Sequence, residues 1–320
     1  MASPNLSEII TTTLRNRSGK LADNVSKGNA MLMKLKEKGA WKPATGRSIV
    51  QELEYAENGT FMYYSGSEVL NISPSDVVTA AEWDWKQAAA AVQASGLEID
   101  VQNTGKEQVI ALLESRIKNA ERTLKNNITV GMYSDGTGTS GKQIEGLQKL
   151  VADDPTTSTS VGGINQSTYS FWRNKIYDFS VESVTASSTT MQSSMNVMNL
   201  RCTRGADKPD LWLMDSVYYG YFWGSLQAIQ RVNESKMADA GFQALSFAGA
   251  DVCYEDSTGM PASHAYALNT DYLFFRYAPK RLFKPLEKVQ SINQDAVVQL
   301  ITFAGNMTSS NRSLQGVMHA

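Results

Sequence analysis

One amphipathic stretch limits what this chain can fold into more than any other part of it. Thr104-x-x-Glu107 is a capping box, in which each side chain satisfies an orphaned backbone donor of a first helical turn. Apolar residues then recur at Val109, Leu112, Leu113, Ile117, Ala120, Leu124 and Ile128, the steps of three and four that line one helix face. Arg116, Lys118, Glu121, Arg122 and Lys125 fall on the other face. The spacing predicts a helix over 104–130, about 36 Å from Gly105 to Ile128 at the α-helical rise. That is about twice an ordinary helix of 11–12 residues. The alternating segment Ala81–Lys86 precedes it and a glycine-rich loop follows it. A single long rod among many strand signals gives an α+β chain with the helix as its spine.

With 320 residues, 42% of them hydrophobic, the chain can build two lobes around separate or partly shared cores. Its apolar-rich stretches fall short of the roughly 20 residues of a membrane span. Val217–Val232, for instance, is interrupted by Gly220, Gly224, Gln227 and Gln230, so no membrane association is expected. Met1–Asn5 has neither a basic nor an apolar region, and no signal peptide is expected. Cys202 and Cys253 lack CxxC spacing and read as buried structural thiols of a reducing compartment. The net charge of −2 hides a polarity: residues 1–45 carry eight Lys and Arg against three acids, leaving the rest at −7. Such a basic arm suits nucleic acid or the acidic body of a neighbouring copy.

Along the arm, Ser7–Arg17 and Asn29–Lys38 are expected as short helices. Ile49, Leu53 and Tyr55 then alternate with Glu52 and Glu54, and Asn58-Gly59 predicts a hairpin returning through Phe61–Tyr64. An isolated hairpin is marginal in water, so this one must rest on its own core or on another chain. Ser134–Ser170, rich in Gly, Ser and Thr, is expected to be long mobile loop. Order returns at Tyr169–Asn174, followed by alternating Ile176, Tyr177, Phe179 and Val181. Thr189–Leu200 predicts a helix whose Met191, Met195 and Met198 fill a core. Leu211–Met214 reads as a buried strand, with Asp215 or Ser216 capping a helix over Val217–Val232. Ala244–Phe247, Ala250–Tyr254, a turn at Ser257–Gly259, Ala265–Asn269 and Tyr272–Phe275 suggest a sheet with a covered face. A last strand over Gln294–Phe303 is expected to end at Gly305.

Chemical motifs give little. Gly136–Gly141 matches GxGxxG, and Lys142 completes most of a P-loop, but Gln143 stands where a P-loop needs Ser or Thr for Mg²⁺. The loop also follows a long helix, where a dinucleotide fingerprint should open a βαβ series. His264 and His319 are the two histidines, no GxSxG elbow occurs, and a His-based zinc site lacks ligands. The acidic pairs Asp153-Asp154 and Glu255-Asp256 read as solvated loop residues. No catalytic, cofactor or metal residue is assigned and no cofactor is expected. The alternatives kept open are a nucleotide-binding enzyme using Gly136–Lys142 and a nucleic-acid-binding module using the basic arm.

The order of parts carries more. Trp83-Asp84-Trp85-Lys86-Gln87 and Ser95-Gly96 precede the spine, Tyr133-Ser134-Asp135-Gly136-Thr137 follows it, and Gly162-Gly163-Ile164-Asn165 leads to Tyr169-Ser170-Phe171-Trp172-Arg173-Asn174. The ending Gly305-Asn306-Met307-Thr308 to Asn311-Arg312 and Gln315-Gly316 completes the set. Over almost its whole length the chain resembles the major capsid proteins of tailed bacteriophages, the Hong Kong 97-type shell fold. The resemblance implies an N-terminal arm (1–45), an E-loop hairpin (46–79) and a peripheral domain (80–185) built on the spine helix 104–130. It further implies an axial domain (186–282) with a central mixed sheet flanked by helices, a return strand (283–304) and a C-terminal segment (305–320).

By function the resemblance implies a non-enzymatic subunit that self-assembles into pentamers and hexamers of an icosahedral shell around double-stranded DNA. Assembly in the host cytoplasm, with a separate scaffolding protein and a portal, is expected because the arm is too short for a built-in scaffold. Nothing identifies a lysine–asparagine crosslink. Lys34, Lys36, Lys38, Trp41 and Arg47 near the arm, and Phe61, Tyr63 and Tyr64 on the hairpin, are the candidate intersubunit contacts. Trp83, Trp85, Phe171 and Trp172 are expected in the core, and Arg173 and Glu121 at the surface.

Overall fold

The chain's strand-forming residues assemble two six-stranded sheets, and β-branched and aromatic runs supply most of the strands. The computed structural model describes residues 29–95, 112–226, 244–255, 259–286, 289–290 and 295–320. Helix α1 (Ala30–Glu37) leads into β1 (Trp41–Pro43), then β2 (Ile49–Glu54), β3 (Val78–Trp83), β4 (Lys86–Ser95) and the spine α2 (Leu112–Gly131). The small hairpin β5 (Ser160–Val161) and β6 (Ile164–Asn165) follows, then β7 (Lys175–Asp178), α3 (Met191–Arg201), β8 (Leu211–Met214) and α4 (Ser216–Ser225). The remaining strands are β9 (Ala244–Phe247), β10 (Ala250–Tyr254), β11 (His264–Leu268), β12 (Leu273–Tyr277), β13 (Lys284–Pro285), β14 (Val289–Gln290), β15 (Ala296–Ser309) and β16 (Gly316–His319).

The first sheet is organised on β15, which pairs antiparallel with β4, β12, β13 and β14, while β1 adds in parallel to β12. The second runs β7-β16-β11-β8-β10-β9 and is mixed. Alternation decides its packing, because successive side chains of a strand face opposite ways. Trp212 and Met214 of β8 join Met191, Met195, Met198, Tyr218 and Phe222 from α3 and α4 in one core. Leu211 and Leu213 turn the other way, into a core shared with Trp83, Leu124, Ile128, Phe275 and Phe303 of the first sheet and spine. The second sheet is thus covered on both faces, and one core runs through both lobes.

Several expected elements are present. α1 starts where Asn29 Oδ1 accepts from Leu32 N at 2.7 Å, and Asp215 caps α4 by accepting from Tyr218 N at 2.9 Å. The three methionines of α3 are fully buried, and so are both cysteines. On the described part of the spine Leu124 and Ile128 are buried, with Ile117 and Ala120 packed beside them. The capping box at Thr104 and Glu107, Val109, the helix over Ser7–Arg17, the last residues of the Val217–Val232 helix and Ser257-Thr258 lie outside the described residues.

Four expectations are corrected. β2 does not pair with Phe61–Tyr64; it pairs with β3, Ile49 opposite Trp83 and Glu54 opposite Val78. That register puts Ile49 and Leu53 on the same buried side as Ala81 and Trp83, a burial the Asn58-Gly59 hairpin could not provide. Ser134–Ser170 is not free loop: Ile144, Leu147, Leu150, Val151 and Val161 are buried along it. β4, missed because alanine is a poor strand former, is held by its ten-residue ladder to β15. Gly305 does not end the last strand, which continues to Ser309; a Cβ there would lie 2.6 Å from Arg276 O and 2.8 Å from the Phe303 ring, so glycine admits β12 and that ring. In addition β11 and β12, neighbours in sequence, enter different sheets, the crossing made at Asn269–Tyr272.

Polar side chains of the C-terminal segment tie these layers together. Arg312, fully buried, donates to Leu150 O (2.6 Å), Trp172 O (2.9 Å), Gln166 Oε1 (3.0 Å) and Asn174 Oδ1 (3.2 Å). Gln315 exchanges bonds with the Asn269 backbone, accepting from its N at 2.9 Å and donating to its O at 3.0 Å. Asn306 accepts from Glu145 N and donates to Asp84 O, both at 3.0 Å. Burial pulls the Arg312 guanidinium down to about 9, so it still carries its charge at neutral pH.

α1 is fastened by charge over an apolar footing of Ala30, Met31 and Leu35. Lys34 pairs with Asp251 where both side chains are about 85% covered, and Lys38 pairs with Asp210 at 3.3 Å and Asp271 at 3.1 Å closer to solvent. Burial opposes the charge on each lysine, but the carboxylates outweigh it and hold both above the ordinary lysine range.

Two stability tests follow from these contacts, both read by urea unfolding of the unassembled subunit. Arg312→Ala is expected to cost about 3 kcal/mol or more, since it strands several buried acceptors. Arg312→Lys should restore less than half, because one ammonium cannot meet four acceptors in the plane of a guanidinium. Lys34→Ala should cost about 2 kcal/mol and Lys38→Ala under about 1, the difference being burial of the pair; equal losses would contradict this ranking.

Candidate functional site

Among the described residues, the longest stretch without burial of its own is the chain between β2 and β3. The ladder is extended by one bond, Tyr55 N to Val77 O at 3.0 Å, and the Tyr55 ring packs on Phe171 at 5.5 Å. Beyond that root one long bond crosses the loop, Gly59 N to Ser75 Oγ at 3.5 Å, and the others named here are local: Thr60 N to Asn58 Oδ1 at 3.0 Å, Ser65 N to Glu68 Oε2 at 3.2 Å, Ser73 N to Asn71 Oδ1 at 3.1 Å. Phe61 and Tyr63 meet edge to face at 5.2 Å, covering little of each other. Phe61 is 75% exposed, Tyr63 90%, Val69 and Ile72 91% each, with Tyr64, Leu70 and Met62 also open. So concentrated a set of exposed apolar side chains marks a surface built to be covered.

The arm candidates are placed differently. Trp41 stacks on Phe275 at 4.4 Å with the rings 7° from parallel, and Lys36 lies over the Trp41 ring at 5.2 Å. Lys34 and Lys38 are occupied by Asp251, Asp210 and Asp271 of their own chain. Arg47 is exposed in the turn before β2. The structure therefore brings Phe61, Tyr63 and Tyr64 together on the projecting loop and keeps Lys34, Lys36, Lys38 and Trp41 against the body. Trp83 and Trp172 are buried, Trp85 and Phe171 half-buried; Arg173 is also half-buried, donating to Gln166 O and Ser167 O.

The Gly136–Lys142 loop borders a cleft of about 330 Å³ lined by Lys86, Asn127, Lys142, Gln143 and Phe303 among others. Its geometry does not suit a phosphate. Asp135 immediately precedes the loop and accepts from Thr137 N and Oγ1 at 2.9 Å, bonds that hold its carboxyl below the usual range and thus negative. Thr139 and Ser140 take left-handed backbone at φ 55° and 56°, and the loop follows α2 instead of a strand. Lys86 is spent on Gly141 O at 2.8 Å and Glu145 at 3.7 Å.

Of the acidic pairs, Asp153 faces His264 and Asp154 accepts from Thr156 N at 2.9 Å; Glu255 is buried beside Ala30 N at 3.4 Å, and Asp256 lies outside the described residues. Among the described residues no group of three His, Cys, Asp or Glu could hold a metal ion, and no helix is long and apolar enough to cross a membrane. Burial pushes both cysteine thiols up to about 12, away from the thiolate that reactive chemistry needs.

Sequence reasoning missed Gln166, Asn174, Asn306, Arg312 and Gln315 as a working set. Asn174, Asn306, Arg312 and Gln315 lay in segments whose wording resembled shell proteins, but nothing local marked them as buried, since Asn174, Arg312 and Gln315 fall in loops beside strands.

No protein-family model matches the chain, and no curated protein matches it. Solved structures do. The chain is similar to the capsid asymmetric unit of cyanophage A-1(L), with TM-score 0.73 and 14% identity over 96% of each chain. A chain of Mycobacterium phage Adephagia matches with TM-score 0.57 and 11% identity, over 99% of this chain and 98% of that one. The holo-SrpI encapsulin complex of Synechococcus elongatus matches with TM-score 0.52 and 9% identity, over 94% and 91%. At these identities the likeness is one of architecture, and it runs nearly end to end. With two sheets, a spine helix and a projecting loop in this order, the chain has the fold of phage capsid subunits, the Hong Kong 97-type architecture.

Proposed function

We propose that this chain is the major shell protein of a tailed bacteriophage, a subunit that assembles with its own copies into pentamers and hexamers of an icosahedral capsid around double-stranded DNA. The observation that carries this reading is the loop between β2 and β3, whose Phe61, Tyr63, Val69 and Ile72 stand at 75–91% exposure in the single subunit. Apolar area of this kind is stabilised only when covered, at about 25 cal/mol per Å² removed from water. A shell supplies the cover repeatedly, since heterologous contacts that close on symmetry give each copy the same neighbour. The likeness to the capsid asymmetric unit of cyanophage A-1(L), with TM-score 0.73, supports the same reading.

In this reading residues 1–45 form the arm and 46–79 the limb that reaches a neighbour. The peripheral region is the 80–185 segment with its spine and the 283–304 return, and the axial region is 186–282 with α3 and α4. Lys34, Lys36, Lys38 and Trp41 then help the interface indirectly, by fixing where the arm leaves the body, while Phe61, Tyr63, Tyr64 and Arg47 are the direct contacts. A separate scaffolding protein and a portal are the further partners, and assembly takes place in the host cytoplasm. The shell needs no catalysis from this subunit.

The test compares the full chain with a version whose residues 58–74 are replaced by a short Gly-Ser linker, by negative-stain microscopy and sizing. The intact chain is expected to form particles or capsomers. The shortened chain should keep its circular dichroism and lose assembly. A monodisperse intact monomer at high concentration would sink the proposal.

A further inference from the structure

His264, at the start of β11, has an acceptor at each ring nitrogen: Ala262 O lies 2.7 Å from Nδ1 and Asp153 Oδ2 lies 3.2 Å from Nε2. A carbonyl and an ionised carboxylate accept only, and a neutral imidazole has a single N–H. The neutral ring must therefore leave one lone pair facing an oxygen, whereas the imidazolium satisfies both. His319 of β16 stands opposite His264 in the ladder and stacks on it, rings 5.7 Å apart and 21° from parallel. The side chain of His264 is 15% exposed and that of Asp153 50%.

Asp153 does not stand alone. Its neighbour Ala152 is held at both ends by Asn174, whose Oδ1 accepts from Ala152 N at 3.1 Å and whose Nδ2 donates to Ala152 O at 2.8 Å. Asn174 in turn accepts from Arg312. One imidazole contact thus links the end of β11, an interior strand of the second sheet, to the polar knot in the shared core. Other ionisable groups near the ring are Asp215, which caps α4 and is occupied by Tyr218 N and Ser263 N, Tyr266 at 6.3 Å between rings, and Asp178, the ladder partner of His319 on β7.

We propose that His264 is a proton-operated tie: charged, it pins residues 152–154 onto the end of β11, and neutral, with one N–H for two acceptors, it holds that segment less tightly. Burial opposes the charge, but the Asp153 hydrogen bond, the Ala262 carbonyl and the nearby carboxylates outweigh it and raise the group above the ordinary imidazole value. The sign follows. Because the folded value is raised, the tie is fully present below the ordinary value of about 6.5 and is lost as pH rises through the folded value. The inference concerns the subunit itself and stands whether or not copies assemble.

The test is hydrogen exchange read by mass spectrometry on the full chain, which reports both the His264 ring carbon and the backbone amides from pH 5 to 9. The His264 midpoint is expected above the ordinary imidazole value, and Asp153→Asn, at a half-exposed position outside both cores, should lower it, because the charged acceptor on Nε2 is gone. Amide exchange at 152–156, corrected for its intrinsic pH dependence, should rise as pH passes through the wild-type midpoint. In His264→Gln it should be fast at every pH. A midpoint at or below the ordinary value, a midpoint unmoved by Asp153→Asn, or wild-type exchange equal to that of His264→Gln throughout would each overturn the proposal.

Discussion

A buried cation with only neutral partners sets the terms for much of this fold. Arg312 sits at zero exposure, and its acceptors come from the one-turn helix after the glycine loop, the turn at Trp172, the loop before it and Asn174. No carboxylate is among those acceptors, so the charge is stabilised by oriented carbonyl dipoles, which cost nothing to reorganise once the chain has closed around them. The same geometry works in reverse. Leu150 O and Trp172 O have no helix or ladder partner to fall back on, so removing the guanidinium strands them inside the core. A segment rich in Gly, Ser and Thr, with little propensity for regular structure, is thereby given one conformation.

That arrangement explains how two sheets behave as one body. β15 closes the first sheet through four partner strands, and the chain then passes Arg312 and Gln315 before entering the second sheet as β16. The link between the sheets therefore runs through polar side chains whose geometry is specific, while the apolar core beneath them is tolerant of small shifts. α1 adds a second link, with Lys34 and Lys38 reaching carboxylates on β10 and beside β8 while Trp41 lies on β12. A subunit braced in this way can carry a long uncovered loop, because the loop's root at Tyr55 and Phe171 is fixed even though its tip is not.

Much was legible in advance where a single periodicity decided the matter. Met191, Met195 and Met198 follow a helical step and are buried; Leu211–Met214 is apolar throughout and lies in a sheet covered on both faces; Asp215 precedes a helix and caps it. Failures cluster where long-range partners override local preference. Asn58-Gly59 is a strong hairpin signal, yet β2 found better burial against Ala81 and Trp83. Ala88–Ala91, to which no element is assigned from sequence, completes a ladder with β15, and Gly305, a breaker by composition, is the residue that lets a strand and a phenyl ring approach. Of the candidate contacts, the aromatics of the loop could be named from sequence, but whether Trp41 and the lysines faced inward could not, since stacking on Phe275 joins residues more than two hundred positions apart.

By itself the sequence determined the inventory: an α+β chain with a spine helix, a methionine-lined core, inert thiols, scarce histidines and an aromatic limb, because propensity, periodicity and composition act over a few neighbouring residues. Only the tertiary structure decided which strands share a sheet, that Arg312 and Asn306 are internal fasteners, and that the limb stands clear of the body. Those outcomes depend on which distant groups find mutual burial and hydrogen-bond satisfaction, and no local window of the chain contains both partners.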